Sequence, residues 1–386
     1  MKRVLILGGG YGGVACGLEL AKLNLKDCEI ALVNDHEYHV LTFALYQAGT
    51  NEQPSRNIAI PLTSIFEGKN INIKIGKIEK IDHSQNKMLL KKGDELLYDY
   101  LVIALGAEPE DFGIAGVKEF TLPFKSLYDA AVLRNQVKLL FENACNDKQI
   151  VFPLRIAIGG GGFTGTELAG ELHKYCAKLA KQFMLPLDCF EVSIIQSGDQ
   201  LLNGLDKDTA IKAKNRLEKL HVKVILGSHI TKVEKEKVTL ENNEVIPYSL
   251  LVWTVGVRAN SILKNSGFAV DKGGKIAINQ FVQTKDYPNI FACGDCAGFA
   301  IDDQGHTAPN VAPIAIEQAK VIAKNITLLL SNSLTNKLCT YKYHHQGYII
   351  PISGRYALAR LDFFKADGFL GFLAEQLLVI YYLLTI

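Results

Sequence analysis

Short apolar runs and amphipathic stretches follow one another along the chain and predict alternating strands and helices. Residues 4–7 (VLIL) form an apolar run that predicts a strand, and apolar residues then recur at helical spacing from Val14 to Leu25. The same succession returns at residues 156–158 (IAI), which are followed by the helical stripe TELAGELHKY. The pattern therefore predicts an α/β fold in which a strand–helix unit occurs twice.

Alternating apolar and polar residues follow each of these units and predict a small β-meander in segments 70–100 and 222–256. In the first half the final strand, 101–105, ends at Gly106, and in the second half the final strand ends at Gly256. Gly106 follows Gly8 by 98 positions (106 − 8), and Gly256 follows Gly160 by 96 (256 − 160). This near-identity of spacing predicts an internal duplication. Glycines at these strand ends let the backbone run close to a cofactor, although a plain turn has the same pattern.

Both strand–helix junctions carry the spacing G-x-G-x-x-G. The two sets of glycines are Gly8, Gly10 and Gly13, and Gly160, Gly162 and Gly165. A pyrophosphate can approach the main chain only where Cβ atoms are missing, and the following helix N-terminus offers free N–H groups and a partial positive charge. A single motif fits a glycine-rich turn about as well as a nucleotide site, whereas two copies predict two dinucleotide-binding units.

The second predicted strand, EIALV, ends at Asn34, about 20 residues beyond the first glycines. In many nucleotide-binding folds an acidic side chain at this strand end accepts hydrogen bonds from the adenosine ribose. Asp35 follows, but neighbouring strand residues face opposite ways, so it is no automatic substitute. We therefore predict Asn34 as the ribose partner.

Residues 288–298 (PNIFACGDCAG) predict an apolar strand, a turn at Gly294 and Asp295, and then a helix. Asp295 can accept a hydrogen bond from a polyol hydroxyl, and the helix N-terminus can face a phosphate. A turn with a helix-capping Asp is the alternative. Cys293 and Cys296 form a C-x-x-C pair, but nothing nearby resembles a thioredoxin-like unit, which disfavours a redox role.

Composition narrows the class of protein. The 386 residues, 48% apolar and 21% charged, predict a globular protein of two or three domains. A net charge of +2 without basic clusters argues against nucleic acid as a partner. The eight cysteines are scattered along the chain, which is typical of a protein in a reducing compartment. The first predicted strand begins at residue 3 and leaves no room for a signal peptide, so we predict a cytosolic protein. No zinc-type spacing of Cys and His occurs, so no metal is predicted.

The chain ends in an apolar stretch, FLGFLAEQLLVIYYLLTI, which begins at Phe369. Glu375 is its one charged residue, and the apolar run from Leu377 to Leu384 is too short to span a bilayer. We predict a helix that lies on a membrane surface or closes a dimer contact.

Together these segments resemble the pyridine-nucleotide-dependent flavoproteins with two dinucleotide domains. The resemblance rests on the order GGGYGG, LVIALGAEPE, GGGGFTGTELAGEL, LVWTVGVRANS and NIFACGDCA. Within that superfamily, VNDHEYH, ALGAEPEDFGIAG, VWTVGVRANSI and the apolar tail are similar to type II NADH:quinone oxidoreductases. The resemblance covers nearly the whole chain.

The resemblance implies two Rossmann-like domains, the second inserted in the first. An FAD domain is expected at 1–112 and 278–335, a nicotinamide-nucleotide domain at 113–277, and a small cap with a membrane-surface helix at 336–386. The implied FAD contacts are Gly8, Gly10, Gly13, Asn34, Gly106, Asp295 and Ala315. The implied contacts of NADH are Gly160, Gly162, Gly165, Gln196 and Gly256.

Two of the implied positions concern charge. Glu167 matches a family carboxylate near the nicotinamide and flavin; the alternative is a glutamate that the dipole of its helix favours in the first turn. Gln196 replaces the expected carboxylate at the end of EVSIIQ, which removes a group that would repel a 2′-phosphate. No Lys or Arg follows in SGDQLLNG, and Asp199 opposes a phosphate there. We therefore predict that NADH is used and NADPH is tolerated.

The family's quinone segment, A-Q-x-A-x-Q, corresponds here to residues 312–317 (APIAIE). Its implied quinone-site residues are Ala312, Pro313, Ile316 and Glu317. Pro313 and Glu317 replace both glutamines, so two hydrogen-bond donors are lost, and Glu317 can donate to a quinone only when protonated. As a proline, Pro313 also fits the first turn of a helix.

The resemblance implies hydride transfer from NADH to FAD, then electron transfer to a quinone such as menaquinone or ubiquinone, without proton pumping. It further implies a peripheral homodimer on the cytoplasmic face of the cell membrane. The chain ends before the family's usual basic tail, which leaves Arg355, Arg360 and Lys365 to meet anionic head groups. Sulfide:quinone oxidoreductases, with Cys176 and Cys339 as candidate cysteines, and a low-turnover redox-sensing or scaffold flavoprotein stay open. Disulfide reductases are disfavoured because no Cys lies between Cys28 and Cys145.

Overall fold

The computed structural model of the protein describes residues 1–23, 25, 27–146, 152–302, 304–331, 337–362 and 364–386. The helices are α1 (Tyr11–Lys22), α2 (Leu45–Gly49), α3 (Leu62–Ile65), α4 (Val117–Phe120), α5 (Leu127–Asn146), α6 (Phe163–Gln182), α7 (Lys207–Lys219), α8 (Ile262–Asn265), α9 (Ala312–Leu330) and α10 (Phe369–Thr385). The strands up to residue 123 are β1 (Lys2–Leu7), β2 (Cys28–Asn34), β3 (Tyr38–Val40), β4 (Ala59–Pro61), β5 (Asn72–Ile75), β6 (Ile78–Asp82), β7 (Lys87–Leu90), β8 (Glu95–Leu97), β9 (Tyr100–Ile103), β10 (Ala107–Pro109) and β11 (Leu122–Pro123).

The remaining strands are β12 (Leu154–Gly159), β13 (Phe190–Ile195), β14 (Val222–Ile225), β15 (Ile230–Glu234), β16 (Lys237–Leu240), β17 (Val245–Pro247), β18 (Leu250–Trp253), β19 (Val257–Ala259), β20 (Ile276–Ala277), β21 (Ile290–Ala292), β22 (Ala297–Gly298), β23 (Tyr348–Pro351), β24 (Ala357–Leu361) and β25 (Phe364–Gly368). Short 3₁₀ turns lie at Thr42–Ala44, Ser55–Asn57 and Gly294–Cys296.

Two parallel five-stranded sheets repeat one topology. The first has the strand order β21-β9-β1-β2-β5 and the second β11-β18-β12-β13-β14. In each sheet the strand before the glycine turn, β1 or β12, is central. Its two neighbours both follow it in the chain, the next strand (β2 or β13) on one side and a much later strand (β9 or β18) on the other. This is the switch point where α/β sheets bind ligands. Each sheet also has its own antiparallel meander, β6-β7-β8 or β15-β16-β17.

The second sheet is inserted in the sequence between two strands of the first sheet. Strand β21 completes the edge of the first sheet by pairing with β9, although the whole second sheet lies between them in sequence. The antiparallel ladder of β10 and β19 joins the two parts. The predicted fold class is thus confirmed. The domain limits stay predictions, and the limit at 335/336 falls outside the described residues.

The cap strands β23 and β24 pack on the second sheet. Ile350, Ile352 and Leu358 are buried in the same hydrophobic core as the strands and helices of that sheet. Helix α10 lies against β23, β24 and β25. Gly371 permits this close approach, because a Cβ there would overlap the carbonyl oxygen of Ala357.

Two local predictions were wrong. No helix follows the Gly294–Asp295 turn directly: a 3₁₀ turn leads into β22, which pairs with β20, and α9 begins only at Ala312. Pairing with β20 holds residues 297–298 in an extended strand where the sequence predicted the start of a helix. Segments 72–75 and 222–225 are also not part of the meanders, because β5 pairs in parallel with β2 and β14 pairs in parallel with β13, each at a sheet edge.

Candidate functional site

At Gly8 and Gly13 the first glycine turn leaves no room for a Cβ atom. Gly8 has a left-handed φ of +106°, and a Cβ at Gly13 would overlap the Gly8 carbonyl oxygen. Helix α1 then begins at Tyr11, with Gly10 as its N-cap. The second turn repeats these features: Gly160 has a φ of +100°, and a Cβ at Gly165 would overlap its carbonyl oxygen.

The helices after both turns lack a side-chain cap. Gly10 precedes α1 and Gly162 precedes α6, and neither helix has a capping hydrogen bond or an acidic residue in its first turn. By contrast, Asp206 caps α7 by accepting a hydrogen bond from the backbone N–H of Thr209 at 3.0 Å. A Cβ at Gly10 or Gly162 would meet no atom within 4 Å. Free N–H groups beside open space fit the pyrophosphates of two dinucleotides.

The side chains at the two strand ends hold these turns in the same way. Asn34 Oδ1 accepts a hydrogen bond from the N–H of Gly9 at 2.8 Å, and Gln196 Oε1 accepts one from the N–H of Gly161 at 2.8 Å. Asn34 also donates through Nδ2 to the carbonyl oxygen of His36 at 2.8 Å. Both amides thus shape the turns, a role that sequence reasoning missed. Their predicted contacts with ribose stay predictions.

Gly106 and Gly256 flank the ladder that joins the two parts of the protein. The carbonyl oxygen of Gly106 accepts a hydrogen bond from the N–H of Asn260, and that of Gly256 accepts one from the N–H of Glu110, at 3.3 and 3.1 Å. The two predicted glycines therefore lie where the duplicated units cross.

Asp295 lies in the 3₁₀ turn after β21. Its carboxylate forms an ion pair with Lys125, with 3.4 Å between Nζ and Oδ2. Buried Gln318 supports the turn by accepting a hydrogen bond from the N–H of Gly294 at 2.9 Å. Ala315 lies beside this turn, because a Cβ at Gly294 would be 3.1 Å from its own. Asp295 and Ala315 are thus brought together at the start of α9.

The C-x-x-C cysteines are buried and free. Burial raises the pKa of the Cys293 thiol well above its usual range and that of Cys296 to about 11. Cys296 donates to the carbonyl oxygen of Ile103 at 3.3 Å. Neither group is a reactive thiolate at neutral pH.

Glu167 is not in the first turn of its helix, so the expected dipole effect does not apply: it is the fifth residue of α6. Burial, and then the charge of Glu375, raise the pKa of Glu167 well above its usual range. Glu375 comes from α10, and Tyr46 donates a hydrogen bond to it at 3.5 Å. Gln47 donates to the Tyr46 oxygen at 3.2 Å. Burial also raises the pKa of Glu375, to about 7.

The predicted quinone segment forms the beginning of α9. Ala312 is its first residue, Pro313 lies in its first turn as expected, and Ile316 follows on the next turn. Glu317 Oε1 accepts a hydrogen bond from the carboxamide of Gln346. Glu317 Oε2 is buried without a hydrogen-bond partner among the described residues. Among the residues that the structure describes, no hydrogen bond or ion pair joins Glu317 to Glu167, so the two predicted catalytic carboxyl groups are not in direct contact.

Helix α10 exposes a large apolar face. The exposed apolar residues are Phe369, Leu370, Leu373, Leu377, Leu378, Ile380, Tyr381, Leu383 and Leu384. In the described residues, no helix combines the length and hydropathy that crossing a membrane requires. The prediction that Arg360 meets lipid head groups was wrong: its side chain is 10% exposed and forms ion pairs with Asp367 and Asp208.

Two glycine turns on duplicated parallel sheets, each followed by an uncapped helix, define a protein that binds two dinucleotides. Sequence comparison agrees. The profile of the pyridine nucleotide-disulphide oxidoreductase family matches residues 2–319, and the chain belongs to that family.

The relatives narrow the class further. The type II NADH:quinone oxidoreductase of Staphylococcus saprophyticus is 28% identical over 362 residues, which cover 91% of this chain and 87% of that protein. The protein of the same name from Staphylococcus aureus is 27% identical over 358 residues, with the same coverage. These relatives confirm the resemblance to type II NADH:quinone oxidoreductases.

Solved structures share the fold. NDH2 from Plasmodium falciparum, in complex with NADH, has a TM-score of 0.86 at 17% identity and covers 100% of this chain and 95% of its own. The sulfide:quinone oxidoreductase of Aquifex aeolicus has a TM-score of 0.79 at 20% identity and covers 99% of this chain and 91% of its own.

Proposed function

We propose that this chain is an NADH:quinone oxidoreductase that uses FAD and pumps no protons. The observation that carries the proposal is the pair of uncapped helix N-termini at Gly10 and Gly162, on sheets that meet at the ladder of β10 and β19. Two dinucleotides bound there would approach each other near Gly106 and Gly256. The curated relatives carry the name of this activity.

The protein's part in the reaction is to bind, orient and hold protons. Bound FAD supplies the redox chemistry, which is hydride acceptance from NADH and electron donation to a quinone. The turn at Gly8, Gly10 and Gly13 would hold FAD, with Asp295 meeting its polyol, and the turn at 160–165 would hold NADH. Burial and then the charge of Glu375 raise the pKa of Glu167, which favours the protonated form of its carboxyl group.

The quinone would enter at the beginning of α9. Ala312, Pro313 and Ile316 present small and apolar groups to it. The family's two glutamine donors are missing, but Gln346 brings a carboxamide to Glu317 from outside the helix. We assign this pair to the quinone carbonyls, with Gln346 as the donor.

The apolar face of α10 fits a membrane surface. A helix of this kind buries its apolar side chains at the boundary of head groups and acyl chains. We place the protein as a peripheral enzyme on the cytoplasmic face of the cell membrane. The homodimer predicted from the same helix belongs to this proposal.

Sulfide:quinone oxidation is the second candidate, because the Aquifex aeolicus enzyme shares the fold. That reaction was expected to need reactive cysteines beside the flavin. Cys176 is fully buried and its pKa is raised by burial, which counts against it as a nucleophile.

Stopped-flow absorbance of the FAD-loaded protein tests the proposal. We expect NADH to bleach the flavin within one turnover, and a short-chain menaquinone or ubiquinone analogue to restore the colour. Bleaching without recovery would show that the acceptor is not a quinone. Bleaching by sulfide but not by NADH would favour the second candidate.

A further inference from the structure

Two side chains from outside the first glycine turn form hydrogen bonds with its residue Gly9. The N–H of Gly9 donates to Asn34 Oδ1 at 2.8 Å, and the carbonyl oxygen of Gly9 lies 2.9 Å from His39 Nδ1. Both polar groups of Gly9 are therefore satisfied within the protein. The orientation of this residue, in the middle of the phosphate-binding turn, is set by side chains that do not belong to the turn.

The chemistry of these groups fixes the direction of the bonds. His39 is 0% exposed, and burial lowers its pKa, so its ring is neutral at pH 7. A carbonyl oxygen only accepts, so Nδ1 carries the ring proton and donates it to Gly9. Nε2 is then an acceptor, and the hydroxyl of Tyr382 lies 2.8 Å from it. Burial raises the pKa of Tyr382, so this hydroxyl keeps its proton and donates it to the ring.

Aromatic packing holds the same residues together. Tyr11, the first residue of α1, lies with its ring centroid 5.0 Å from that of His39 and 5.2 Å from that of Tyr382. Phe43 packs against both tyrosines, with each centroid distance at 6.4 Å. A chain of aligned hydrogen bonds in such apolar surroundings is stronger than the same bonds in water.

Tyr382 belongs to α10, whose opposite face is the exposed apolar surface described above. The helix is thus connected to the cofactor turn by a relay of two hydrogen bonds, although the two lie at opposite ends of the sequence. We propose that Tyr382, acting through His39, is a positioning residue for the FAD-binding turn, and that docking of α10 and FAD affinity are coupled. The inference rests on the proposed function only in placing FAD at the first turn; the electron acceptor does not enter it.

The coupling is reciprocal, because two events that stabilise one arrangement favour each other equally. A docked α10 orients Gly9 for the flavin phosphates, and bound FAD in turn favours the docked helix. Loss of the Tyr382 hydroxyl removes one partly buried hydrogen bond. Since such a bond contributes about 0.5–1.5 kcal/mol, FAD affinity should fall by about two- to thirteenfold.

The test uses full-length apoprotein titrated with FAD, with the quenching of flavin fluorescence as the measure of binding. We expect Tyr382→Phe to weaken FAD binding and Tyr381→Phe to leave it unchanged, because the neighbouring Tyr381 is 66% exposed. His39→Gln keeps an amide donor for Gly9, so it should retain part of the affinity. Adding Tyr382→Phe to His39→Gln should cause no further loss if both act through one relay.

Hydrogen exchange of the α10 amides supplies the second readout. FAD should protect these amides in the wild type and in Tyr381→Phe, and protect them less in Tyr382→Phe. Unchanged FAD affinity in Tyr382→Phe, with only a lower melting temperature of the apoprotein, would overturn the inference. A wild-type chain that takes up no FAD would overturn the proposed function and this inference together, whereas FAD uptake without quinone reduction would leave the inference standing.

Discussion

Gln196 accepts a hydrogen bond from the backbone N–H of Gly161 at 2.8 Å, the bond that Asn34 forms with Gly9 in the first half of the chain. The amide therefore does one task of the carboxylate it replaces, which is to hold the glycine turn. The task it does not do is to present a negative charge to the nucleotide. The residue at position 196 can therefore hold the glycine turn whether or not it carries the charge that selects NADH over NADPH.

Gln196→Glu should create a preference for NADH without disturbing the turn, because a carboxylate oxygen can accept the same bond. The wild type should use NADH and NADPH with comparable kcat/KM, and the variant should lose NADPH activity by about tenfold or more through repulsion of the 2′-phosphate. Steady-state kinetics with both nucleotides measures this. Asn34→Asp, the matched change in the first turn, should leave the ratio unchanged. A wild-type preference of about 10³-fold for NADH would contradict the prediction.

Gly10 and Gly13 should respond differently to the same substitution. A Cβ at Gly13 overlaps the carbonyl oxygen of Gly8, whereas a Cβ at Gly10 meets no protein atom within 4 Å. Gly13→Ala should therefore lower the free energy of unfolding by about 1–3 kcal/mol. Gly10→Ala should leave the apoprotein as stable as the wild type. It should weaken FAD binding by about tenfold or more, because its methyl group would occupy the space in which we expect the FAD pyrophosphate to bind.

Thermal unfolding of the apoproteins and FAD titration separate the two effects. Gly162→Ala, at the equivalent position of the second turn, is the control: it should spare FAD binding and raise the KM for NADH. Equal losses of FAD affinity in Gly10→Ala and Gly162→Ala would show that the two turns do not have separate ligands.

The sequence alone predicted the parts of the site that depend on neighbouring residues. The glycine turns, the strands before them and the helices after them follow from local periodicity and from the spacing of Gly8 to Gly106 and Gly160 to Gly256. The internal duplication predicted from this spacing agrees with the two five-stranded sheets of matching order. The helix predicted after Asp295 was wrong because that prediction considered only the neighbouring residues. In the structure, β22 pairs with β20, a strand about 20 residues earlier in the chain.

The parts that could not be predicted depend on long-range contacts. Lys125 reaches Asp295 across 170 positions, and Tyr382 reaches His39 across 343. Nothing in the local sequence of Lys125 distinguishes it from a solvated lysine. For His39 the local sequence does contain one indication of its role. It lies in the short strand β3 (Tyr38–Val40), and a buried histidine there needs hydrogen-bond partners. Its partners, however, follow only from the fold.

Leu377 and Leu384 should carry membrane binding, because they are 66% and 81% exposed on the apolar face of α10. Burying a leucine side chain contributes about 1.5–3 kcal/mol, so replacing both by lysine should weaken binding to neutral phosphatidylcholine vesicles by about 100-fold or more. Cosedimentation measures the bound fraction. Leu187→Lys, at an exposed leucine outside α10, should bind as the wild type does. Unaltered binding of the double variant would place the membrane contact elsewhere.

Glu375 should make the protein less stable as the pH rises. Burial raises its pKa from 4.5 to about 7, so between these values the folded protein holds a proton that the unfolded chain has lost. The free energy of unfolding therefore falls with pH across this window: the favourable contribution is complete below pH 4.5 and is lost as the pH rises through 7. Tyr46 and Gln376 hydrogen-bond to the Glu375 carboxyl, the charge of Glu171 raises its pKa further, and Glu167 is buried within reach of its charge.

Glu375→Gln removes the titration and keeps a side chain of the same shape that can accept from Tyr46. Relative to the wild type, the variant should gain free energy of unfolding between pH 5 and pH 8, by at most about 3 kcal/mol, since each pKa unit corresponds to about 1.4 kcal/mol. Denaturant unfolding at four pH values in this range measures the difference. Glu142→Gln, the same change on the exposed face of α5, is the matched control. Parallel pH curves for Glu375→Gln and the wild type would mean that Glu375 titrates as an exposed carboxylate and that α10 does not bury it.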